Sequence, residues 1–190
     1  GLIGCIFPAL HRTGPLTLIP PELFLAKPAV WLRAISKYRG TVSPAPDFAY
    51  AMCVERIKDA DLDGCDLSSW RMALNGAEPI SPRTMAAFTH RFAQWGLRKH
   101  ALTPVYGLSE AALAVTFSDP DQHARVTAFA RAPLTTGVAE TTTADDPTAT
   151  QLVSVGTPLR GFAVEIRGEG AGPLPDGRVG RIWASGPSLM

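Results

Sequence analysis

Hydrophobic positions between residues 41 and 107 alternate between two patterns, which predicts strands joined by helices. The predicted strands are "TVS" (41–43), "LSSWRMALNGAEP" (67–79) and "HALTPVYG" (100–107). The two segments between them, 44–57 and 81–95, place apolar side chains three or four residues apart, as an amphipathic helix does. An alternation of strand and helix is typical of right-handed βαβ units. We therefore predict an α/β fold with a parallel sheet and flanking helices.

The segments on either side of this region predict different elements. Residues 27–40 predict a helix, and "LTLIP" (16–20) predicts a buried strand. After residue 107, "AALAVTF" (111–117) and "VTAFA" (126–130) are short strand candidates. The segments "FAVEIRG" and "RVGRIWAS" alternate apolar and polar residues around a Gly- and Pro-rich loop, so a mostly antiparallel β segment should follow the parallel sheet.

Composition excludes some classes of function. The chain has 190 residues, of which 46% are hydrophobic and 18% charged, with a net charge of +1. Such a charge balance gives no support to a nucleic-acid partner. The longest apolar opening (2–10) is too short for an integral membrane segment. Three scattered cysteines, Cys5, Cys53 and Cys65, favour a reducing compartment, so we expect a cytoplasmic protein.

The first candidate site is "NGAEP" (75–79), at the end of a predicted strand. Gly76 has no Cβ, so a flat heterocycle could lie directly against the backbone there. The alternative is a tight turn between strand and helix, with Asn75 in an unusual backbone conformation. For this motif alone, the turn is the better supported interpretation.

The second candidate site is "YGLSE" (106–110), at the end of the next predicted strand. Tyr106 offers a face for a base, and Ser109 can donate a hydrogen bond to a phosphate oxygen. Glu110 would repel a polyphosphate unless a divalent cation lay between them, which favours a nucleotide with Mg²⁺. The alternative is that Glu110 is only a carboxylate in the first turn of a helix. Carboxyl ends of neighbouring parallel strands are a common place for ligands, so the two motifs together are a stronger signal than either.

Six segments, in order, resemble adenylate-forming enzymes, and most closely the fatty acyl-AMP ligases, which are related to fatty acyl-CoA synthetases. They are "GLIG", "FAYAMCVERI", "LSSWRMALNGAEPI", "YGLSEAALAV", "VGTPLRGFAVEIR" and "GRVGRIWASGPS". The chain begins without Met and ends just after a strand-like run, so we interpret it as part of the large N-terminal domain of a longer enzyme.

The resemblance implies activation of a fatty acid with ATP and Mg²⁺ to acyl-AMP. The acyl group would then pass to an acyl carrier protein or to a polyketide or peptide synthase. Catalysis would also need a C-terminal domain that lies outside these residues, so we expect no turnover from the 190 residues alone. A fatty acyl-CoA synthetase and a catalytically silent nucleotide- or lipid-binding module remain alternatives.

The resemblance also implies roles for individual residues. Gly76, Ala77 and Glu78 would line the adenine, and Tyr106 would stack on it. Gly107 and Leu108, which follow Tyr106, would also belong to the nucleotide-binding segment. Ser109 would approach the α-phosphate and Glu110 would hold Mg²⁺, which makes these two the catalytic candidates. Phe48 and Tyr50 would lie near the mouth of an acyl tunnel, although core packing explains both equally well.

The chain departs from the family pattern at two positions and carries one long insertion. Ser109 stands where many of these ligases have Ala, and it keeps a hydroxyl for phosphate. Asp47 stands where Asn is common. Residues 119–150 resemble the insertion of fatty acyl-AMP ligases that disfavours the coenzyme A reaction. We therefore divide the chain into an α/β part (1–118), the insertion (119–150) and a β-rich part (151–190).

Overall fold

The computed structural model describes residues 2–170 and 172–189, which form two compact units. The first unit runs to Thr103 and includes Asp119–His123. The second comprises Pro104–Ser118 and the chain from Ala124 onward. The division falls within one strand, β3 (Leu102–Tyr106).

The first unit has the predicted alternation of parallel strands and helices. Strands β1 (Val42–Ala45) and β2 (Met72–Asn75) pair in parallel, with Val42 opposite Met72 and Ala45 opposite Asn75. The Ala73 N–H donates to the Ala101 carbonyl at 2.8 Å, at the start of β3. The elements of this unit before β3 are α1 (Phe7–Arg12), α2 (Pro21–Ala26), α3 (Ala29–Tyr38), β1 (Val42–Ala45), α4 (Asp47–Arg56), β2 (Met72–Asn75) and α5 (Pro82–Phe92).

Local sequence explains where α5 begins. The Ser81 Oγ accepts a hydrogen bond from the Thr84 N–H at 3.2 Å, which satisfies one of the free donors at the helix start. Pro82 takes the first helical position, where its missing N–H is not needed. Both were predicted from the sequence.

An aromatic cluster forms the core of the first unit. Tyr50, Trp70, Phe88 and Phe92 are fully buried, and Trp31 is 7% exposed. Most of these rings meet edge to face, with centroids 5.0 Å apart for Tyr50 and Phe88, an arrangement that suits their quadrupoles. The cluster packs α3, α4 and α5 around Trp70, which lies just before β2.

The second unit is built from antiparallel pairs, as predicted. Strand β3 pairs with β4, β4 with β7, β5 with β6, and β8 with β9. Its elements after β3 are β4 (Thr116–Phe117), β5 (Val126–Phe129), α6 (Arg131–Thr135), β6 (Thr150–Val153), β7 (Thr157–Pro158), β8 (Ala163–Arg167) and β9 (Arg181–Ser185). The α/β fold class is therefore confirmed.

Three strand predictions need correction. "LTLIP" has no regular structure: Leu16 and Leu18 are 41% and 64% exposed, so burial does not drive a strand there. In "LSSWRMALNGAEP" only β2 is a strand, because residues before it form a turn closed by the Trp70 N–H and the Leu67 carbonyl. In "AALAVTF" only β4 is a strand, since Ala111 still belongs to a 3₁₀ turn.

The longest apolar opening, residues 2–10, is predicted from the sequence to be too short to form an integral membrane segment. Within residues 2–170 and 172–189, the structure has no helix both long and apolar enough to cross a bilayer.

Candidate active site

The loop after β2 carries the first group of predicted residues. Gly76 is buried, whereas Ala77 and Glu78 are exposed. Ala77 has a φ of 69°, a left-handed conformation that costs a residue with a Cβ about 1 kcal/mol. The unusual backbone angle thus falls at Ala77 and not at Asn75. Such strain persists only where surrounding contacts hold it.

Two hydrogen bonds join this loop to the start of α4. The Asn75 Nδ2 donates to the Asp47 Oδ1 at 2.8 Å, between two side chains that are 0% and 7% exposed. The Phe48 N–H donates to the Glu78 Oε1 at 2.7 Å. Asp47, the departure from the family pattern, is therefore the partner of a buried amide.

The two predicted acyl residues differ sharply in burial. Phe48 is 48% exposed at the start of α4, whereas Tyr50 is fully buried in the aromatic cluster. The Tyr50 hydroxyl donates to the Leu74 carbonyl at 2.9 Å, at the end of β2. Burial raises the pKa of Tyr50 well above its usual value, and the nearby Cys53 and Asp47 raise it further. Tyr50 therefore stays a neutral donor that holds α4 against β2.

The second predicted group forms a compact turn after β3. Tyr106 and Gly107 are half-buried, whereas Ser109 and Glu110 are exposed in a 3₁₀ turn, Ser109–Ala111. The Val115 N–H donates to the Tyr106 carbonyl at 3.0 Å, which closes the turn. Among the described residues, the side chains of Ser109 and Glu110 have no hydrogen-bond or ion-pair partner, so they are free to meet a ligand.

The backbone of this turn is strained just beyond Glu110. Ala112 and Leu113 have φ angles of 51° and 101°, which residues with a Cβ rarely adopt. At Gly107 an added Cβ would overlap the Leu113 carbonyl, so the turn requires glycine there. Successive strained residues cluster at functional sites more often than elsewhere.

Ser188 is a contact to this turn that sequence reasoning missed. Its Oγ donates to the Ala111 carbonyl at 2.8 Å, across 77 positions of sequence. No spacing rule predicts a contact over that distance. The only available signal was its place in "SGPS", within one of the segments that resemble the family.

Glu110, the residue predicted to bind Mg²⁺, has the carboxylate that this metal accepts as a ligand. Mg²⁺ commonly takes one or two carboxylates and completes its shell with water and substrate phosphates. Glu110 supplies an exposed carboxylate next to the Ser109 hydroxyl. In the described part of the chain, no three His, Cys, Asp or Glu side chains form a metal-binding group, so a metal here would depend on the nucleotide for its other ligands.

A small cavity lies at the other end of β2. It has a volume of about 130 Å³ and is lined by Met72, Pro120 and the charged or polar side chains of Arg71, Arg98, His100 and Asp121. None of the predicted site residues borders it.

A family model, described as AMP-binding enzyme, matches residues 1–190. The chain belongs to the AMP-binding enzyme family. It is 35% identical over 98% of its length to the medium-chain-fatty-acid–[acyl-carrier-protein] ligase TtuA of Teredinibacter turnerae, and 33% identical over 99% to the 4-hydroxyphenylalkanoate adenylyltransferase of Mycobacterium marinum. It covers 29% and 30% of those proteins, so it spans about a third of the curated relatives that it matches.

A solved structure extends this likeness to the fold. The chain matches the fatty acyl-adenylate ligase of Legionella pneumophila, crystallised with acyl adenylate and pyrophosphate, at a TM-score of 0.94 and 37% identity. The match covers the whole chain and 33% of that protein. The predicted resemblance to fatty acyl-AMP ligases within the AMP-binding family is confirmed. The roles of individual residues stay predictions.

Proposed function

We propose that the full-length protein activates a fatty acid with ATP and Mg²⁺, forming acyl-AMP and releasing pyrophosphate. The observation that carries this proposal is the match, over the whole chain, to a ligase crystallised with acyl adenylate and pyrophosphate. The acyl group would then pass to an acyl carrier protein or to a polyketide or peptide synthase. We place the reaction in the cytoplasm, where ATP and reduced thiols are both present.

We propose nucleotide contacts in the loop after β2 and, separately, in the turn after β3. Adenine would lie along Gly76, which is buried and has no Cβ, and along the exposed Ala77 and Glu78. The half-buried Tyr106 ring offers a face for stacking. The exposed Ser109 hydroxyl would donate to an α-phosphate oxygen. The remaining turn positions are Gly107 and Leu108.

Glu110 would supply the carboxylate for Mg²⁺. An unpaired carboxylate repels a triphosphate, so its place beside Ser109 favours a divalent cation between the two. A cation there would offset charge on the transferring phosphoryl group. Neither side chain has a hydrogen-bond or ion-pair partner among the described residues, and the competing role is that of Glu110 as a first-turn carboxylate of the 3₁₀ helix.

The acyl group would enter near the start of α4. Phe48 presents an apolar ring that is 48% exposed, which suits contact with a hydrocarbon chain. Tyr50 is fully buried, so we propose that it supports the tunnel wall through the Leu74 carbonyl.

Acceptor competition tests this proposal. The full-length protein is incubated with ATP, Mg²⁺ and either dodecanoic acid or a 4-hydroxyphenylalkanoate, and then with phosphopantetheinylated carrier protein or with free coenzyme A. We expect acyl-AMP, pyrophosphate and acylated carrier protein, with little acyl-CoA. Efficient acyl-CoA formation would instead identify a fatty acyl-CoA synthetase. Activity only with 4-hydroxyphenylalkanoates would contradict the fatty acid substrate, and no adenylation of either acid would favour a silent binding module.

A further inference from the structure

Glu78, which is predicted to lie beside the adenine, also caps helix α4. The predicted acyl-binding residues Phe48 and Tyr50 lie on this helix. Its Oε1 accepts the Phe48 N–H at 2.7 Å. Helix α4 has no cap of its own, because the residue before it is Pro46, which forms no side-chain cap hydrogen bond. Glu78, 30 positions away, therefore satisfies a donor that would otherwise need water.

A buried hydrogen bond lies beside this exposed one. The Asn75 Nδ2 donates to the Asp47 Oδ1 at 2.8 Å, and both side chains are buried. Asn75 ends β2 and Glu78 lies three positions later in the loop, while Asp47 and Phe48 are adjacent on α4. The end of β2 with its loop and the first turn of the helix are thus joined at two points, of which the exposed hydrogen bond is the more accessible to water.

We propose that Glu78 is a positioning residue that couples nucleotide binding to fatty acid binding. This inference rests on the proposed function, which places adenine along 76–78 and the acyl chain near Phe48. A nucleotide that orders the loop also holds the Glu78 carboxylate on the Phe48 N–H. The first turn of α4 and the Phe48 ring are then fixed before the fatty acid arrives.

Linkage makes the effect reciprocal. If nucleotide raises fatty acid affinity by some factor, fatty acid raises nucleotide affinity by the same factor. The proposed coupling depends on a side-chain oxygen that accepts the Phe48 N–H. Gln also has such an oxygen, so Glu78→Gln should preserve the coupling. Ala removes the oxygen, and Asp keeps the charge but lacks one methylene of reach.

The test measures fatty acid affinity twice in the full-length protein. Calorimetry gives the Kd of dodecanoic acid alone and with saturating α,β-methylene ATP, and a separate titration gives the Kd of α,β-methylene ATP itself. We expect nucleotide to lower this Kd about fivefold in the unsubstituted protein. Glu78→Ala and Glu78→Asp should abolish the difference, and Glu78→Gln should keep most of it. The matched control is Glu55→Ala, an exposed carboxylate on α4, which should keep the full difference.

Three results would overturn the inference. They are equal Kd values in the unsubstituted protein, an undiminished difference in both Glu78→Ala and Glu78→Asp, or a Glu78→Ala change confined to the Kd for nucleotide. The last would make Glu78 a direct nucleotide ligand only. Failure of the proposed function is distinguishable, because the unsubstituted protein would then show no fatty-acid-dependent pyrophosphate exchange.

Discussion

The Asn75 amide and the Asp47 carboxylate form a buried hydrogen bond of 2.8 Å that joins the end of β2 to the start of α4. The Asn75 Oδ1 is buried and, among the described residues, has no partner. The Asp47 Oδ1 accepts this hydrogen bond, so the Asn75 Nδ2, which is a donor, faces Asp47.

Substitution of Asp47 should therefore depend on what replaces it. Asp47→Ala leaves the Asn75 amide without its acceptor in the core, so we expect a loss of about 1–3 kcal/mol in the free energy of unfolding. Asp47→Asn keeps an acceptor oxygen and adds a donor, so it should cost less than about 1 kcal/mol. Urea denaturation checks both. Equal losses for the two variants would show that the hydrogen bond does not stabilise this region.

Gly107→Ala should disrupt the turn that carries Ser109 and Glu110. The added Cβ would overlap the Leu113 carbonyl, so the backbone has to move. We expect a loss of at least about 2 kcal/mol in the free energy of unfolding. The control is Gly14→Ala, where an added Cβ meets nothing within 4 Å. A Gly107→Ala protein as stable as this control would contradict the geometry of the turn.

Cys53 should be the least reactive of the three thiols. Burial raises the pKa of Cys53 to about 12 from 9.0. The thiolate, which is the nucleophile, is therefore scarce at pH 8. Mass spectrometry after brief iodoacetamide treatment should find label on the half-exposed Cys5 and Cys65 before Cys53. Faster labelling of Cys53 would show that α4 opens readily.

The same shift has a consequence for stability at high pH. A raised pKa in the folded state means that the unfolded state releases its proton first. The contribution of Cys53 is therefore complete below pH 9 and is lost as the pH rises toward 12. Denaturation between pH 8 and pH 11 should show this decline, and Cys53→Ala should reduce it.

Shortening the predicted insertion should allow coenzyme A to accept the acyl group and should leave the formation of acyl-AMP unchanged. Phe129 and Thr150 face each other at the end of the β5–β6 pair, so a two-residue Asn-Gly turn can replace residues 130–149. We expect acyl-CoA formation to rise at least tenfold while pyrophosphate exchange is unchanged. Replacing the hairpin loop 169–176 in the same way is the control. An unchanged acceptor preference would remove the argument for the insertion.

Local rules predicted much of the fold, and long-range contacts lay beyond them. Ser81 was predictable as an N-cap because its partner is three residues away. The Asn75–Asp47 bond spans 28 positions and the Ser188–Ala111 bond spans 77. Such pairs depend on how elements pack, which periodicity does not encode.

The candidate site was predicted as two motifs, and the roles of its residues stay predictions; its contacts were not predicted. The order of strand and helix places both motifs after parallel strands, and their residue types indicate nucleotide and Mg²⁺. Spacing gave no sign that Glu78 caps α4 or that Tyr50 is part of the core. The positive φ of Leu113 could not be predicted from the sequence either, because the surrounding turn imposes that backbone conformation.

Fatty-acid-dependent exchange of pyrophosphate into ATP is the most direct measurement of the central claim. The full-length protein should catalyse it, and Glu110→Ala should lower the rate at least 100-fold, because the carboxylate for Mg²⁺ is lost. The control Glu169→Ala, an exposed carboxylate in the β8–β9 loop, should retain the full rate. Exchange that persists undiminished in Glu110→Ala would contradict the account.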